Sequence, residues 1–222
     1  CYAPRWMRRL VHLTLAGLLL LAATACKQDG TVTVHSLEFR GVKSVDLARL
    51  KSALATRENT KVPVVGWELP WSRKQYFDRG RFDADLRRIE AFYADRGFPD
   101  ARVTAFDVQL NKDQDAVDVV LTIDEGEPIR VVAVEYRGFD AVPEAHMTDV
   151  RNRSPLTVNE PRDRQEVIAA HEVAVNELRD HGHPYARVAT DENDGPNGRE
   201  ATIVFTAEPG PRAYFGDTQI AG

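Results

Sequence analysis

The chain has 222 residues, of which 43% are hydrophobic and 28% charged, and this composition is typical of a folded globular protein. The formal net charge of −5 argues against a general nucleic-acid binder, which would normally carry a basic face or stripe. The two cysteines are Cys1 and Cys26, so an exported form of this protein would have no disulfide within its fold.

The first 26 residues are typical of an export signal. Met7 is followed by two arginines and is a more natural translation start than Cys1. A short apolar run then leads to small residues before Cys26. The run is shorter than the roughly 20 residues that span a membrane. The sequence ATAC at 23–26 resembles the lipobox of bacterial lipoproteins, in which Cys26 is lipidated, but ATA is also an ordinary cleavage site. Both alternatives stay open, and residues 27–31 form a short linker.

The segment after the linker predicts five elements in the order strand, helix, helix, strand, strand. The strand TVTVHSLEFRG (31–41) alternates apolar and polar residues, and the helix SVDLARLKSAL (44–54) has apolar residues at helical spacing. A second helix, FDADLRRIEAFYADRG (82–97), has Asp83 as its candidate N-cap and Gly97 just past its end. Two strands, 101–110 and 116–125, then form a hairpin.

The same order recurs in the second half of the chain. Three landmarks repeat in sequence: LEFRGV as VEYRGF, RGFPDARV as HGHPYARV, and VVLTIDEGEP as IVFTAEPGPR. This period is longer than that of solenoid repeats, so each copy is predicted to be a small domain with its own core. The domains are placed at 32–128, with an insertion at about 59–80, and at 129–212, and residues 213–222 are read as the first strand of a third copy. Each domain is predicted to be α+β, with a three-stranded mixed sheet covered on one face by two helices.

This element order, the Y-R-G and F-R-G strand ends and the repeated G-x-P corner resemble the polypeptide-transport-associated (POTRA) domains of the BamA and TamA outer-membrane assembly proteins. The resemblance covers nearly everything from about Val32 to Gly222. It implies a periplasmic region at the cell outer membrane, a parent gene that continues into a C-terminal β-barrel missing here, and a binding function without an enzymatic activity or cofactor. A stop codon directly after Gly222 in the intact gene would contradict this expectation.

The resemblance also implies where partners bind. The strand after the second helix would lie at the edge of the sheet, where its free backbone groups can pair with an extended chain. The expected partners are unfolded outer-membrane protein clients, accessory assembly subunits and inner-membrane-spanning proteins. The alternative is that these edges are only solvated. The candidate binding residues are Val103, Ala105, Phe106 and Val108 in the first domain and Val188 and Thr190 in the second.

The insertion combines aromatic and basic side chains. Such a mixture is typical of a partner surface or of contact with lipid headgroups, but the same aromatic residues could simply cover the open end of the sandwich. The candidate surface consists of Trp67, Trp71, Arg73, Lys74 and Tyr76.

The remaining groups of possible metal-binding or catalytic residues are better explained by structural roles. His181 and His183 are two residues apart but have no evident third metal ligand, so no metal site is predicted there. Residues 191–198 depart from the calcium-loop pattern and are interpreted as a hairpin turn. Asp124, Glu125 and Glu127 follow a strand and are interpreted as solvated charges.

Two rival functional classes remain. One is a POTRA-type interaction scaffold, such as a cell-division or secretion-partner docking module. The other is a periplasmic enzyme, which would need a clustered polar site that the sequence pattern does not predict.

Overall fold

The computed structural model of the protein describes residues 32–59, 74–214 and 216. The strands of these residues are β1 (Thr33–Arg40), β2 (Arg102–Leu110), β3 (Ala116–Asp124), β4 (Arg130–Arg137), β5 (Arg187–Asp194) and β6 (Glu200–Glu208). The helices are α1 (Leu47–Ala53), α2 (Arg79–Asp95), α3 (Glu144–Arg153) and α4 (Arg164–Asp180). The predicted order of strand, helix, helix, strand, strand is therefore present twice.

Each repeat contains one three-stranded mixed sheet, with the orders β1-β3-β2 and β4-β6-β5. The last strand of each repeat is central, because it pairs in parallel with the first strand and antiparallel with the strand before it. Two strands of each sheet are consequently edges. The predicted α+β class, with a mixed sheet and two helices in each repeat, is confirmed.

The two sheets bury separate hydrophobic cores. The central strand β3 explains the first one, since alternate side chains from Val117 to Ile123 are buried while those between them are partly exposed. In the second repeat, α4 buries one face at helical spacing, which includes Val167, Ala170, Ala174 and Leu178. Separate cores mean that each repeat supplies its own packing energy.

Helix α2 begins earlier than the sequence analysis expects. Its N-cap is Asp78, whose Oδ1 accepts a hydrogen bond of 2.7 Å from the backbone N–H of Arg81. Asp83 lies inside the helix and pairs with Arg79 at 3.1 Å. The extra turn forms because Phe82 is buried against the core and ties this turn to the sheet.

The prediction that Glu125 is a solvated charge is wrong. Its side chain is only 9% exposed and accepts hydrogen bonds from the backbone N–H groups of Lys43 and Ser44, at 2.8 and 3.0 Å. The hydroxyl groups of Ser44 and Tyr93 donate to the same carboxylate, at 2.8 and 2.9 Å. A carboxylate with this many donors can be buried, whereas the neighbouring Glu127 stays exposed.

The corner after α2 is the joint between the two repeats. The carbonyl of Gly97 accepts a hydrogen bond of 2.7 Å from the N–H of Ile129, just before β4. Gly97 has a φ of +85°, and a Cβ on it would lie 2.8 Å from the backbone nitrogen of Arg162. Arg199 contacts Asp100 and donates to the carbonyl of Glu127 at 3.0 Å. The predicted turn therefore also serves as a contact surface for the next domain.

Candidate strand-docking edges

The first strand of each sheet has a covered outer edge. In the first repeat, the N–H of Val34 donates to the carbonyl of Gln75 at 2.9 Å, and the N–H of Phe77 donates to the carbonyl of Val32 at 2.8 Å. In the second repeat, the N–H of Val131 donates to the carbonyl of Glu160 at 3.0 Å. The segment before the second helix thus returns to protect this edge in both domains.

The opposite edges are β2 and β5. Within the described ranges 32–59, 74–214 and 216, β2 pairs only with β3, and β5 pairs only with β6. All six residues that the sequence analysis selects for strand pairing lie on these two strands. A strand with one unpaired side exposes a row of backbone donors and acceptors to any extended chain.

Strand β2 combines its open edge with exposed apolar side chains. Phe106 is 44% exposed and Leu110 is 56% exposed, although Val103 and Val108 pack against the core. The Phe106 ring lies edge-on to the buried ring of Phe82, with centroids 5.4 Å apart. An apolar strip therefore continues from the core to the edge, where a bound strand could extend it.

The backbone of β2 is irregular near its beginning. The pairing with β3 shifts between Val103 and Ala105, so Val103 lies opposite Ile123 and Ala105 lies opposite Thr122. A β-bulge of this kind bends and twists an edge strand locally. The regular part of the edge accordingly runs from Ala105 to Leu110.

Strand β5 has different chemistry at the same position. Its sequence RVATDEND carries Asp191, Glu192 and Asp194, and most of its side chains are exposed. The carbonyl of Val188 lies 2.9 Å from Nε2 of His171 on α4, so this edge acceptor already has a partner. Thr190 borders a shallow groove beside α4 that Ile168 and His171 also line. Charges on an edge strand oppose unselective pairing.

The insertion surface falls mostly outside the described residues. Trp67, Trp71 and Arg73 lie there, as do the possible lipidation site Cys26 and most of segment 213–222. Lys74 is exposed, and Tyr76 is 50% exposed while its backbone forms a bridge to Thr33 beside β1. The two described residues therefore belong to the segment that covers β1.

The two histidines of the second corner, His181 and His183, have different partners. Nδ1 of His183 lies 3.1 Å from the carbonyl oxygen of Gly210, whereas Nδ1 of His181 lies 2.9 Å from that of Glu177. Residues 191–198 lie in β5 and its hairpin turn, which the N–H of Gly195 closes by donating to the carbonyl of Glu200 at 2.8 Å. The interpretation of residues 191–198 as a hairpin turn agrees with this geometry. The expectation that His181 has no further potential metal ligands near it is wrong, because His146 and Glu177 lie beside it.

Sequence reasoning missed the hydrogen bond between Tyr93 and Glu125 and a polar group between α3 and α4. The Tyr93–Glu125 contact joins residues 32 positions apart. The polar group joins His146 to Glu177 and His181. The only sequence signal for this polar group was the four-residue spacing of Glu177 and His181, which places both side chains on one face of a helix. In the described part of the chain, none of the helices is long and apolar enough to cross a membrane.

Comparisons with known proteins agree with the resemblance. The family model described as POTRA, surface antigen variable number repeat, matches residues 32–126. The outer membrane protein assembly factor BamA of Neisseria meningitidis serogroup B is 24% identical over 152 residues, which is 68% of this chain and 19% of that protein. The matched region thus spans about a fifth of that relative's length.

Two solved structures are similar at lower identity. Haemophilus influenzae BamA POTRA3-5 is 20% identical with a TM-score of 0.40, and the match covers 85% of this chain and 71% of that one. The N-terminal domain of Omp85 from Thermosynechococcus elongatus is 13% identical with a TM-score of 0.33, over 80% of this chain and 66% of that one.

Proposed function

We propose that this chain, whose residues 32–126 match the POTRA family model, binds unfolded outer-membrane protein segments in the periplasm by strand pairing. It acts as a non-enzymatic scaffold and passes its clients to a C-terminal barrel in the outer membrane. The observation that carries this proposal is the asymmetry of the first sheet, in which β1 is covered and β2 pairs only with β3 among the described residues.

Strand β2 is the primary client edge in this proposal. Pairing through the backbone recognises an extended conformation rather than one sequence, which suits a binder of many different strands. Outer-membrane strands alternate apolar and polar residues. An incoming strand could place its apolar side chains beside Phe106 and Leu110, both of which are exposed on β2.

Strand β5 fits a second, more selective partner. Its acidic side chains and the contact between His171 and the Val188 carbonyl both disfavour indiscriminate pairing. We assign this edge to an accessory or inner-membrane-spanning protein with basic side chains. The aromatic and basic insertion is assigned to a partner or headgroup surface, and Cys26 to a lipid anchor that holds the region at the membrane.

The first experiment measures binding of a fluorescent ten-residue peptide with the alternating pattern of an outer-membrane strand. Replacing Phe106 and Leu110 together by Asp should weaken binding by at least tenfold, because the peptide would lose apolar contact at the edge. Val158→Asp is the control, since Val158 is 48% exposed but belongs to the second repeat, in the segment between α3 and α4. Equal loss of binding in the control, or none in the double variant, contradicts a β2 site.

A proline scan from Val103 to Val108 tests backbone pairing directly. In an antiparallel edge strand, N–H groups alternate between the neighbouring strand and the solvent. Proline at positions that face solvent should abolish peptide binding while far-UV circular dichroism stays native, whereas proline at the alternate positions should destabilise the sheet. Folded variants that all bind normally would exclude strand pairing at β2.

A further inference from the structure

We propose that the second domain contains a binding site for a divalent transition metal of the zinc class, formed by His146, Glu177 and His181. His146 lies in the first turn of α3, Glu177 lies in the last turn of α4, and His181 is the C-cap of α4. Two imidazoles and one carboxylate are a donor set that zinc binds in proteins, with water in the fourth position.

The separations of the donor atoms fit this coordination. Nδ1 of His146 and Nδ1 of His181 each lie 3.4 Å from Oε1 of Glu177. One donor atom from each of the three residues lies within 4.8 Å of the other two. A tetrahedral ion with bonds of about 2.1 Å has donor atoms about 3.4 Å apart. Only small side-chain movements are therefore needed to bring all three donors onto one ion.

The helices hold these donors in place. Glu177 and His181 are four residues apart at the end of α4, so their side chains share one face of that helix. The imidazole rings of His146 and His181 meet edge to face, with centroids 4.6 Å apart. The carbonyl end of a helix also favours a cation. The site is thus formed by packing α3 against α4.

The three donor side chains differ in exposure, as expected for a metal site that is open to solvent on one side. The Glu177 side chain is 6% exposed, that of His181 is 21% exposed and that of His146 is 52% exposed. The carboxylate is anchored inside the domain while His146 borders the solvent. Water and the ion can therefore reach the group from the His146 side.

Arg153 fixes the orientation of the carboxylate. Its Nη2 donates to Oε2 of Glu177, which leaves Oε1 directed towards the two imidazoles. Outer-shell hydrogen bonds of this kind commonly orient metal-binding carboxylates. The positive charge of Arg153 also opposes cation binding, so the site requires imidazole donors in addition to Glu177.

Metal binding would change one existing contact. Nδ1 of His181 lies 2.9 Å from the carbonyl oxygen of Glu177 as well as 3.4 Å from its carboxylate. The proton on Nδ1 that faces the carbonyl must move to Nε2 through the solvent before Nδ1 can bind the metal, so the hydrogen bond to the carbonyl is exchanged for a bond to the metal. The ion would then link α3 to α4 and stabilise the second domain.

The test is titration of the untagged protein, with Cys1 and Cys26 replaced by Ser, against zinc chloride in a calorimeter. We expect one zinc ion per chain and a higher unfolding temperature. Cobalt(II) should give the visible absorption of a tetrahedral complex. His146→Ala should weaken binding at least tenfold and abolish the zinc-dependent rise in unfolding temperature, and His181→Ala should do the same.

His183→Ala is the matched control, because His183 is two residues from His181 but contacts Gly210 instead. This variant should bind zinc as the parent protein does. His146 is half exposed, so His146→Ala should fold normally, which circular dichroism checks. Absence of zinc binding by the parent, or equal affinity in His146→Ala and His183→Ala, would mean that the group is only an ion-pair network.

Discussion

Glu125 ties the exit of β3 to the loop before α1 and to α2. Burial opposes its negative charge, but hydrogen bonds from the backbone of Lys43 and Ser44 and from the hydroxyl groups of Ser44 and Tyr93 outweigh this and hold its pKa below the usual range of a glutamate. Burial and the nearby carboxylate raise the pKa of Tyr93, so its hydroxyl stays protonated and donates at neutral pH. One carboxylate thus joins three segments of the first domain.

Glu125→Gln should lower the free energy of unfolding by about 2 kcal/mol at pH 7, because the neutral amide accepts these hydrogen bonds less well. Because the pKa of Glu125 is lowered in the fold, its ionised form stabilises the protein at neutral pH, and this contribution is lost as the pH falls through that lowered pKa. Urea unfolding at pH 7 and at about pH 3.5 should show the difference between variant and parent shrinking in acid. The exposed Glu127→Gln should change little, and an equal effect at both positions would refute the assignment.

Among the elements, helix α2 depends on a cap that lies five residues before the one suggested by the sequence. Asp78 accepts from the N–H of Arg81, and the extra turn brings Phe82 into the core. Phe82 in turn supports Phe106 on β2. The first turn of α2 therefore contributes to the shape of the proposed client edge.

Asp78→Ala should destabilise the first domain by about 1 kcal/mol, because an N-cap hydrogen bond is lost at the start of α2. Asp83→Ala should cost less than about 0.5 kcal/mol, since it removes only an exposed ion pair with Arg79. Chemical denaturation of both variants measures the difference. A larger effect at Asp83 would show that α2 starts where the sequence pattern suggests.

At the scale of the whole molecule, the corners that follow α2 and α4 each make a backbone contact with the segment of chain that comes next. The Gly97 carbonyl accepts from Ile129 at 2.7 Å, and the Gly182 carbonyl accepts from Ala213 at 2.8 Å. Both glycines have positive φ values, and both are followed by the residues that lead into the edge strand. The same corner thus orients the next segment of chain and begins the strand proposed to bind partners.

Gly97→Ala should destabilise the protein and loosen the joint, because the new Cβ would press on the backbone of Arg162 at 2.8 Å. Gly198→Ala is the matched control: its φ is also positive, but a Cβ there would meet nothing within 4 Å. The control should cost about 1 kcal/mol from backbone strain alone. Chemical unfolding and hydrogen exchange at the Ile129 amide should distinguish Gly97→Ala from Gly198→Ala. Equal stability and equal exchange rates in the two variants would contradict a packed joint.

The sequence by itself determined the element order, the repeat and the fold class. These properties are local, because apolar spacing defines each helix or strand and a glycine at positive φ follows several of them. The choice of β2 and β5 as edges came from the family resemblance, and the topology agrees with it. Their binding function remains a prediction.

Only the tertiary structure decided which polar side chains meet. Glu125 and Glu127 are two residues apart, yet Glu125 is buried because Tyr93 and the loop before α1 converge on it. His181 and His183 look equivalent in sequence, but helix packing brings His146 to His181 alone. Such contacts depend on how separate elements pack together, and the pattern within one segment carries no information about its distant neighbours.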